Sequence, residues 1–406
     1  MSIITRLRAT AVTALISGLI FLTVPTAATA APASRDGVSS AAHFLATSLA
    51  SGGDHFSFPG GTTPDVGNTI DAILALDGAG AGQEQAAKST AWVQSQAAGY
   101  AAFDGKTFAG GALGKLAVLA AAQGVDPASF GGLDLGTQLH TLLTGTGRFG
   151  TAANDFDVTI NQAMAVIGLG RISGSVPPSA VAYLAAQQCP DGGVRGKLDD
   201  QTCVPDPDAT AFAAQAFLIA GDDGAATKAV AYLHSHQATD GSLPNASGEG
   251  ANTNTAGVAA QSFTAAKSPG ADTAKAFIAS LQWGCDAPVD SRGGIAFTAA
   301  DAAVTPQNHD KAIRATPQAL LALAGGSLLT VRAGSDMLPE TVAMTCPASD
   351  ASPTATAAAT APSPAPSTAP ASGEGSGPMV LVLIALLILA LAVGSVVIVR
   401  SRGSRP

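Results

Sequence analysis

Six aspartates, Asp191, Asp199, Asp200, Asp206, Asp240 and Asp286, have the type and placement to do chemistry in this chain. They lie in stretches punctuated by glycine and proline, where Gly192, Gly193 and Gly241 give the backbone freedom. Carboxylates held this way can meet a cation, a sugar or a basic partner, and two within ~5 to 10 Å of one another are what glycoside hydrolysis uses. The six histidines, His43, His55, His140, His234, His236 and His309, form no ligand cluster in sequence, and two residues two apart, such as His234 and His236, cannot share a helix face. No metal and no cofactor is therefore expected. The four cysteines of a chain read as exported make two disulfides. The expected pairs are Cys189 with Cys203, bracketing one loop, and Cys285 with Cys346, tying the last helical pair to the tail after it.

The elements that must position these residues are written as a repeat. Tyr183-Leu-Ala-Ala-Gln-Gln188-Cys-Pro-Asp191-Gly-Gly and the helix from Asp208 to Phe217 have a second copy in Tyr232-Leu-His-Ser-His-Gln237-Ala-Thr-Asp240-Gly-Ser and the helix from Asn254 to Phe263. Anchors of the same kind stand at Phe44, Trp92, Leu139, Tyr183, Tyr232 and Phe277, with spacings of 48, 47, 44, 49 and 45 residues. Each anchor helix is followed by a helix rich in Ala and Leu: Thr69 to Gly78, Gly111 to Gly124, Thr159 to Gly170, Thr210 to Gly221, Ala256 to Lys267 and Thr316 to Gly325. Asn68-Thr69, Asp157, Asp208 and Asn254 stand as N-caps. The second helices carry almost no charge, so they must be buried all round. The pattern predicts an all-α fold of two concentric rings over residues 37–329, six pairs with the second helices inside. Connections from first to second helix are long and those from second to first mostly short, so one face carries the long, Gly-rich and acidic loops.

The ends read differently. Residues 1–30 have Arg6 and Arg8, an apolar run and small residues before Ala31, the pattern of a cleaved signal peptide. Residues 330–347 form a disulfide-tied tail, and 348–377, almost wholly Ala, Pro, Ser, Thr and Gly, a disordered stalk. Residues 378–399 have no charge and are long enough to span a bilayer, and the tail 400–406 carries Arg400, Arg402 and Arg405. The expected topology is single-pass, with the N-terminal domain extracellular and the basic tail in the cytoplasm. The formal charge is -9; setting aside the five arginines of the two ends leaves 15 basic against 29 acidic residues, or -14, for the exported part. With no basic stripe, nucleic acid is excluded as a partner.

Gln188-Cys-Pro-Asp-Gly-Gly193 and Gln237-Ala-Thr-Asp-Gly-Ser242 resemble the prenyltransferase and squalene-oxidase repeat, in which Gln is followed after three residues by Gly and then by an aromatic. Val194 and Leu243 stand at the aromatic position. The resemblance implies the alpha-alpha toroid shared by terpenoid cyclases, protein prenyltransferase beta subunits and cobalamin carriers. Its known machinery has no match here. Asp199-Asp200 and Asp206-Pro-Asp208 do not form the cyclase Asp-x-Asp-Asp motif, three Tyr and two Trp make a poor carbocation cavity, and no prenyltransferase-like zinc set is present. Thr330 to Cys346 is too short for the beta domain that follows a cobalamin carrier's toroid.

These readings lead to a cell-surface toroid, held by its C-terminal helix, that acts as a non-catalytic binding module. Its partner would be an extracellular small molecule, glycan or basic protein bound by the six loop aspartates. The alternative is an extracellular enzyme, terpenoid-cyclase-like or a carboxylate-based glycan hydrolase or lyase, working in the toroid cleft. Against it stands the poverty of the inner helices in polar groups, which leaves no evident reaction centre.

Overall fold

A computed structural model describes residues 35–347 apart from 103, 152–156, 247 and 249. The signal peptide, stalk, membrane span and basic tail expected at 1–30, 348–377, 378–399 and 400–406 lie outside the described residues. Among the described residues no helix is long and apolar enough to cross a membrane.

The described chain is built from α-helices, with no strand longer than an isolated bridge. There are six pairs: α1 (Arg35–Ser51) and α2 (Val66–Ala79); α3 (Gln83–Ala101) and α4 (Gly110–Gln123); α5 (Leu135–Leu142) and α6 (Thr159–Ser173); α7 (Pro178–Ala185) and α8 (Pro207–Ala220); α9 (Asp223–His236) and α10 (Thr253–Ala265); α11 (Gly270–Ser280) and α12 (Pro306–Leu323). The second members touch in the order α2, α4, α6, α8, α10, α12 and back to α2. Each first member lies outside, over its own partner and the inner helix before it. Asp71 meets Lys115 near the starts of α2 and α4, and Asp77 meets Gln123 at their ends, so these inner helices run parallel. Alanine and glycine allow the close approach: a Cβ on Gly114 of α4 would collide with the Met164 carbonyl of α6.

The repeat signature is the joint between units. Gln188 Nε2 donates to the Gly192 carbonyl of its own turn and the Ala225 carbonyl of α9, at 2.9 and 3.0 Å. Gln237 does the same to Gly241 and to Gly270 of α11. Gln282 reaches Gly293 and, at 2.7 Å, Gly37 of α1, which closes the ring. The third unit lacks this glutamine, and Gln162 of α6 takes over, bonding Gly147 and Ala180. The paired glycine is required sterically: Gly192 and Gly241 have φ of 93° and 88°, and a Cβ there would strike the carbonyls of Lys228 and Thr273 in the next outer helix. Val194 and Leu243, at the aromatic position of the motif, are wholly buried, as are Phe149 and Ile295 at the like places of the third and sixth units.

Three helix caps lie two to four residues before the expected ones. Asp65, Asp206 and Asn252 cap α2, α8 and α10, accepting from Asn68, Ala209 and Thr255 N–H groups, in place of Asn68-Thr69, Asp208 and Asn254. Asp157 is not a cap; its carboxylate pairs with Arg148 at 2.6 Å, and Val158 opens α6. Proline explains α8, since Pro207 fits the first turn and moves the cap to the residue before it. Four inner helices end on glycine in the left-handed region, Gly80, Gly124, Gly174 and Gly221.

Both disulfides, Cys189–Cys203 and Cys285–Cys346, are formed. The tail crosses the ends of the inner helices on the short-connection face. Leu328 N–H donates to Gln215, the Arg171 guanidinium donates to the Leu328 and Val331 carbonyls, Ala333 N–H donates to Ala122, and Leu338 N–H to Gly80. With Leu328, Val331 and Met337 buried, it floors the ring and supplies donors to helix ends whose last carbonyls have none.

Candidate functional site

Three of the six loop aspartates, Asp191, Asp240 and Asp206, hold the turns and the cap that carry them. Asp191 and Asp240 occupy equivalent turns, each accepting the N–H two residues on, from Gly193 and Ser242 at 3.0 Å. The Ser242 hydroxyl and N–H hold the Asp240 carboxyl below the usual range. Asp206 caps α8, and burial pushes its carboxyl up. Asp199 accepts from Tyr183 Oη at 2.6 Å and Gln187 Nε2 at 3.2 Å and lies 4.0 Å from Arg148. Asp200 accepts from Thr202 N–H, and Asp286 is exposed beside Cys285. The structure brings Asp191 and Asp206 to the Tyr232 phenol, which burial and these two carboxylates push up to about 12. Asp199 joins Asp157 at Arg148, while Asp240 and Asp286 belong to the separate turns of the fifth and sixth units.

A different set converges at the opening of the inner ring on the long-connection face. Asp71 and Lys115, each six residues into its helix, form a 2.8 Å ion pair with side chains 16% and 18% exposed. Asp65, the α2 cap with a side chain 4% exposed, has Oδ2 3.6 Å from Arg314 of α12. The Arg314 guanidinium also lies over the Phe58 ring at 5.6 Å. Burial raises Asp71 above the carboxylate range even though Lys115 and a hydrogen bond from Gln318 pull the other way. Burial pushes Lys115 down, but the Asp71 carboxylate, Tyr100 and Asp65 outweigh it and leave its pKa raised. Desolvation beside the pair pushes half-buried Tyr100 of α3 up to about 12, and it stays a neutral hydroxyl. The mouth thus presents a carboxyl with a raised proton affinity, two fixed cations, a phenol and a second carboxylate.

The inner helices, expected to be poor in polar groups, carry this ion pair between two of them. The signal was present in the sequence: Lys115 is the one charge in the apolar helix Gly110–Gln123, and Asp71 follows Ile70 in another. A charge in a helix buried on all sides survives only with a partner, and the partners lie 44 residues apart.

Below the mouth, on the ring axis, Leu74, Phe212, Val258 and Leu321 close down on a cavity of about 10 Å³ that Asp71 and Gln261 also line. A wider open groove of about 460 Å³ runs along the outer wall of α9, on Ala226, Val230 and Ala231, away from the charged set. Among the described residues no group of three or more His, Cys, Asp or Glu could hold a metal ion.

No protein-family model and no curated protein matches the chain. Solved structures do. The unsaturated glucuronyl hydrolase of Bacillus sp. GL1, responsible for glycosaminoglycan degradation, superposes with a TM-score of 0.50 at 13% identity, over 71% of this chain and 95% of its own. A glycosidase variant in complex with glucose gives 0.50 at 14% identity, over 73% and 98%. A type II terpene cyclase from Scytonema, in complex with geranylgeranyl dihydroxybenzoate, gives 0.46 at 14%, over 71% and 98%. At such identities the likeness to the two glycosidases is one of fold, and the fold is the alpha-alpha toroid.

Proposed function

We propose that the protein is an exported, membrane-held ring that acts on a glycan at its polar mouth, as a carboxylate-based hydrolase or lyase. The observation that carries this reading is Asp71, a mostly buried carboxyl with a raised pKa at the opening of the ring, with a second carboxylate, Asp65, six residues before it. Asp65 is near enough for its charge to act on Asp71, and a pair of carboxyls flanking the scissile bond is what glycoside hydrolysis uses. With substrate bound, Lys115 and Arg314 would meet acidic substituents of the sugar, and Asp71, released from Lys115, would take up a proton and donate it to the leaving oxygen. Both glycosidase structures described above share the ring, which supports the substrate class. Export and the single C-terminal span, read from the sequence, would put the mouth outside the cell.

The test is release of new sugar ends from a panel of neutral and acidic polysaccharides by the purified exported part, with Asp71→Asn alongside. Turnover that falls by ~100-fold or more in the variant, the scale of a lost general acid, supports the proposal. Turnover that survives Asp71→Asn overturns the assignment of the site.

A second reading, binding without catalysis, is favoured by one feature. Lys115 holds Asp71 at 2.8 Å, and an acid clamped by a cation in its resting state is a poor proton donor. A protein that retains a glycan through purification, identified by mass spectrometry, and never cleaves it would be this case.

A further inference from the structure

We propose that the cavity on the ring axis holds one water molecule shared between Gln261 Oε1 and the Asp71 carboxylate, which makes Gln261 a positioning residue for Asp71. The inference rests on the geometry of the axis and stands whether or not a glycan is cleaved at the mouth above it.

Size comes first. About 10 Å³ is the room that one water needs and less than any sugar or organic group requires. Leu74, Phe212, Val258 and Leu321 are apolar, so the polar partners are Asp71, Gln261 and Gln318. The Gln261 amide has its orientation fixed, because Nε2 donates to the Gln318 carbonyl at 3.1 Å and only the nitrogen can do so. Its oxygen therefore points the other way, buried and without a hydrogen-bond partner in a residue 2% exposed. A buried carbonyl oxygen of this kind calls for a donor. The Asp71 carboxylate, which lines the same cavity, is a second acceptor, and a water molecule has two hydrogens to give. A cation fits less well: Lys115 already neutralises Asp71, and two side-chain oxygens fall far short of the six to eight ligands that calcium takes.

The consequence lies in the titration of Asp71. The charged and titratable groups that face it are Lys115 from α4, Tyr100 from α3 and Asp65 at the start of its own helix, with Arg314 from α12 beyond Asp65. At the cavity α8 and α10 present Phe212, Val258 and Gln261, none of them ionisable. A water anchored by Gln261 donates to the ionised form of Asp71 and so lowers its pKa against the effect of burial. Removing the anchor leaves Lys115, Tyr100, Asp65 and Arg314 in place and takes away that donor.

The experiment follows the side-chain carboxyl carbon of Asp71 by NMR through a pH titration of the folded protein without substrate. Asp71→Asn identifies the resonance. Wild type is compared with Gln261→Met, which keeps length and removes the acceptor, and with Gln261→Leu. A midpoint for Asp71 higher by about 1 pH unit in either folded variant, the scale of one hydrogen bond to a charged group, together with one ordered water within hydrogen-bonding distance of both groups in a high-resolution crystal structure of the wild type, is the expected result. A wild-type structure with no ordered water there overturns the proposal even if neither variant folds. So does a folded variant that loses stability while the Asp71 midpoint stays where it was, because a packing role alone would do that. The glycan reading is untouched by either failure, since it is judged on turnover.

Discussion

Asp77 stands in the last turn of α2, 5% exposed, where both carboxylate oxygens accept from Gln123 Nε2 of α4 at 2.7 Å. Burial pushes its pKa from 3.8 to about 7, with the Gln123 bond pulling weakly the other way. A carboxyl raised in this way contributes stability that is fully present below its unfolded value and is lost as pH climbs through the folded value. About 3 pH units separate the two states, and at about 1.36 kcal/mol per unit the loss approaches ~4 kcal/mol by pH 8. Asp77→Asn removes the charge and keeps the shape, and a turn of the Gln123 amide gives the new NH₂ its acceptor. Urea unfolding of wild type and variant at pH 4, 6 and 8 measures the effect. The variant should match the wild type within ~1 kcal/mol at pH 4 and exceed it by ~2 to 4 kcal/mol at pH 8. An offset that is the same at all three values, or a variant weaker at pH 8, would refute the reasoning, because the carboxyl would then ionise without cost in the folded ring.

Gly241→Ala should cost more than ~2 kcal/mol in urea unfolding, because its Cβ meets the Thr273 carbonyl, whereas Gly60→Ala, at a similar φ with open space around it, should cost only the ~1 to 2 kcal/mol of a left-handed backbone; equal losses would deny the joint between units. Replacing Cys285 and Cys346 together by Ser opens a link across 61 residues and should cost ~4 kcal/mol. Limited proteolysis should then cut the tail near 342–347 faster than in wild type, with helicity unchanged at 25 °C. Changing Asp199, Asp200 and Asp240 together to Asn tests the loop face against the mouth. Affinity for a copurified ligand, measured by calorimetry at two salt concentrations, should fall several-fold if those carboxylates make the contact, and an unchanged affinity would assign the ligand to the mouth.

The sequence by itself determined the ring. Anchors near every 47 residues, apolar second helices and the Gln188 and Gln237 motifs specify six pairs with the second members inside, because a helix without a polar face has nowhere else to go. The local periods of the chain carry that information. Tertiary structure decided what the periods do not encode. Cap positions shifted because Asp65, Asp206 and Asn252 are chosen by which N–H groups a side chain can reach, and several short polar residues compete within each start. Among the loop aspartates, conspicuous by type, Asp191 and Asp240 hold turns, since an Asp before Gly satisfies its own backbone first, and Asp206 holds a cap. Asp71, Lys115, Tyr100 and Arg314 come from four helices, and no spacing along the chain announces that they meet. Ring closure alone sets α12 beside α2, and it is burial in that closed ring that raises the Asp71 carboxyl and gives the mouth its chemistry.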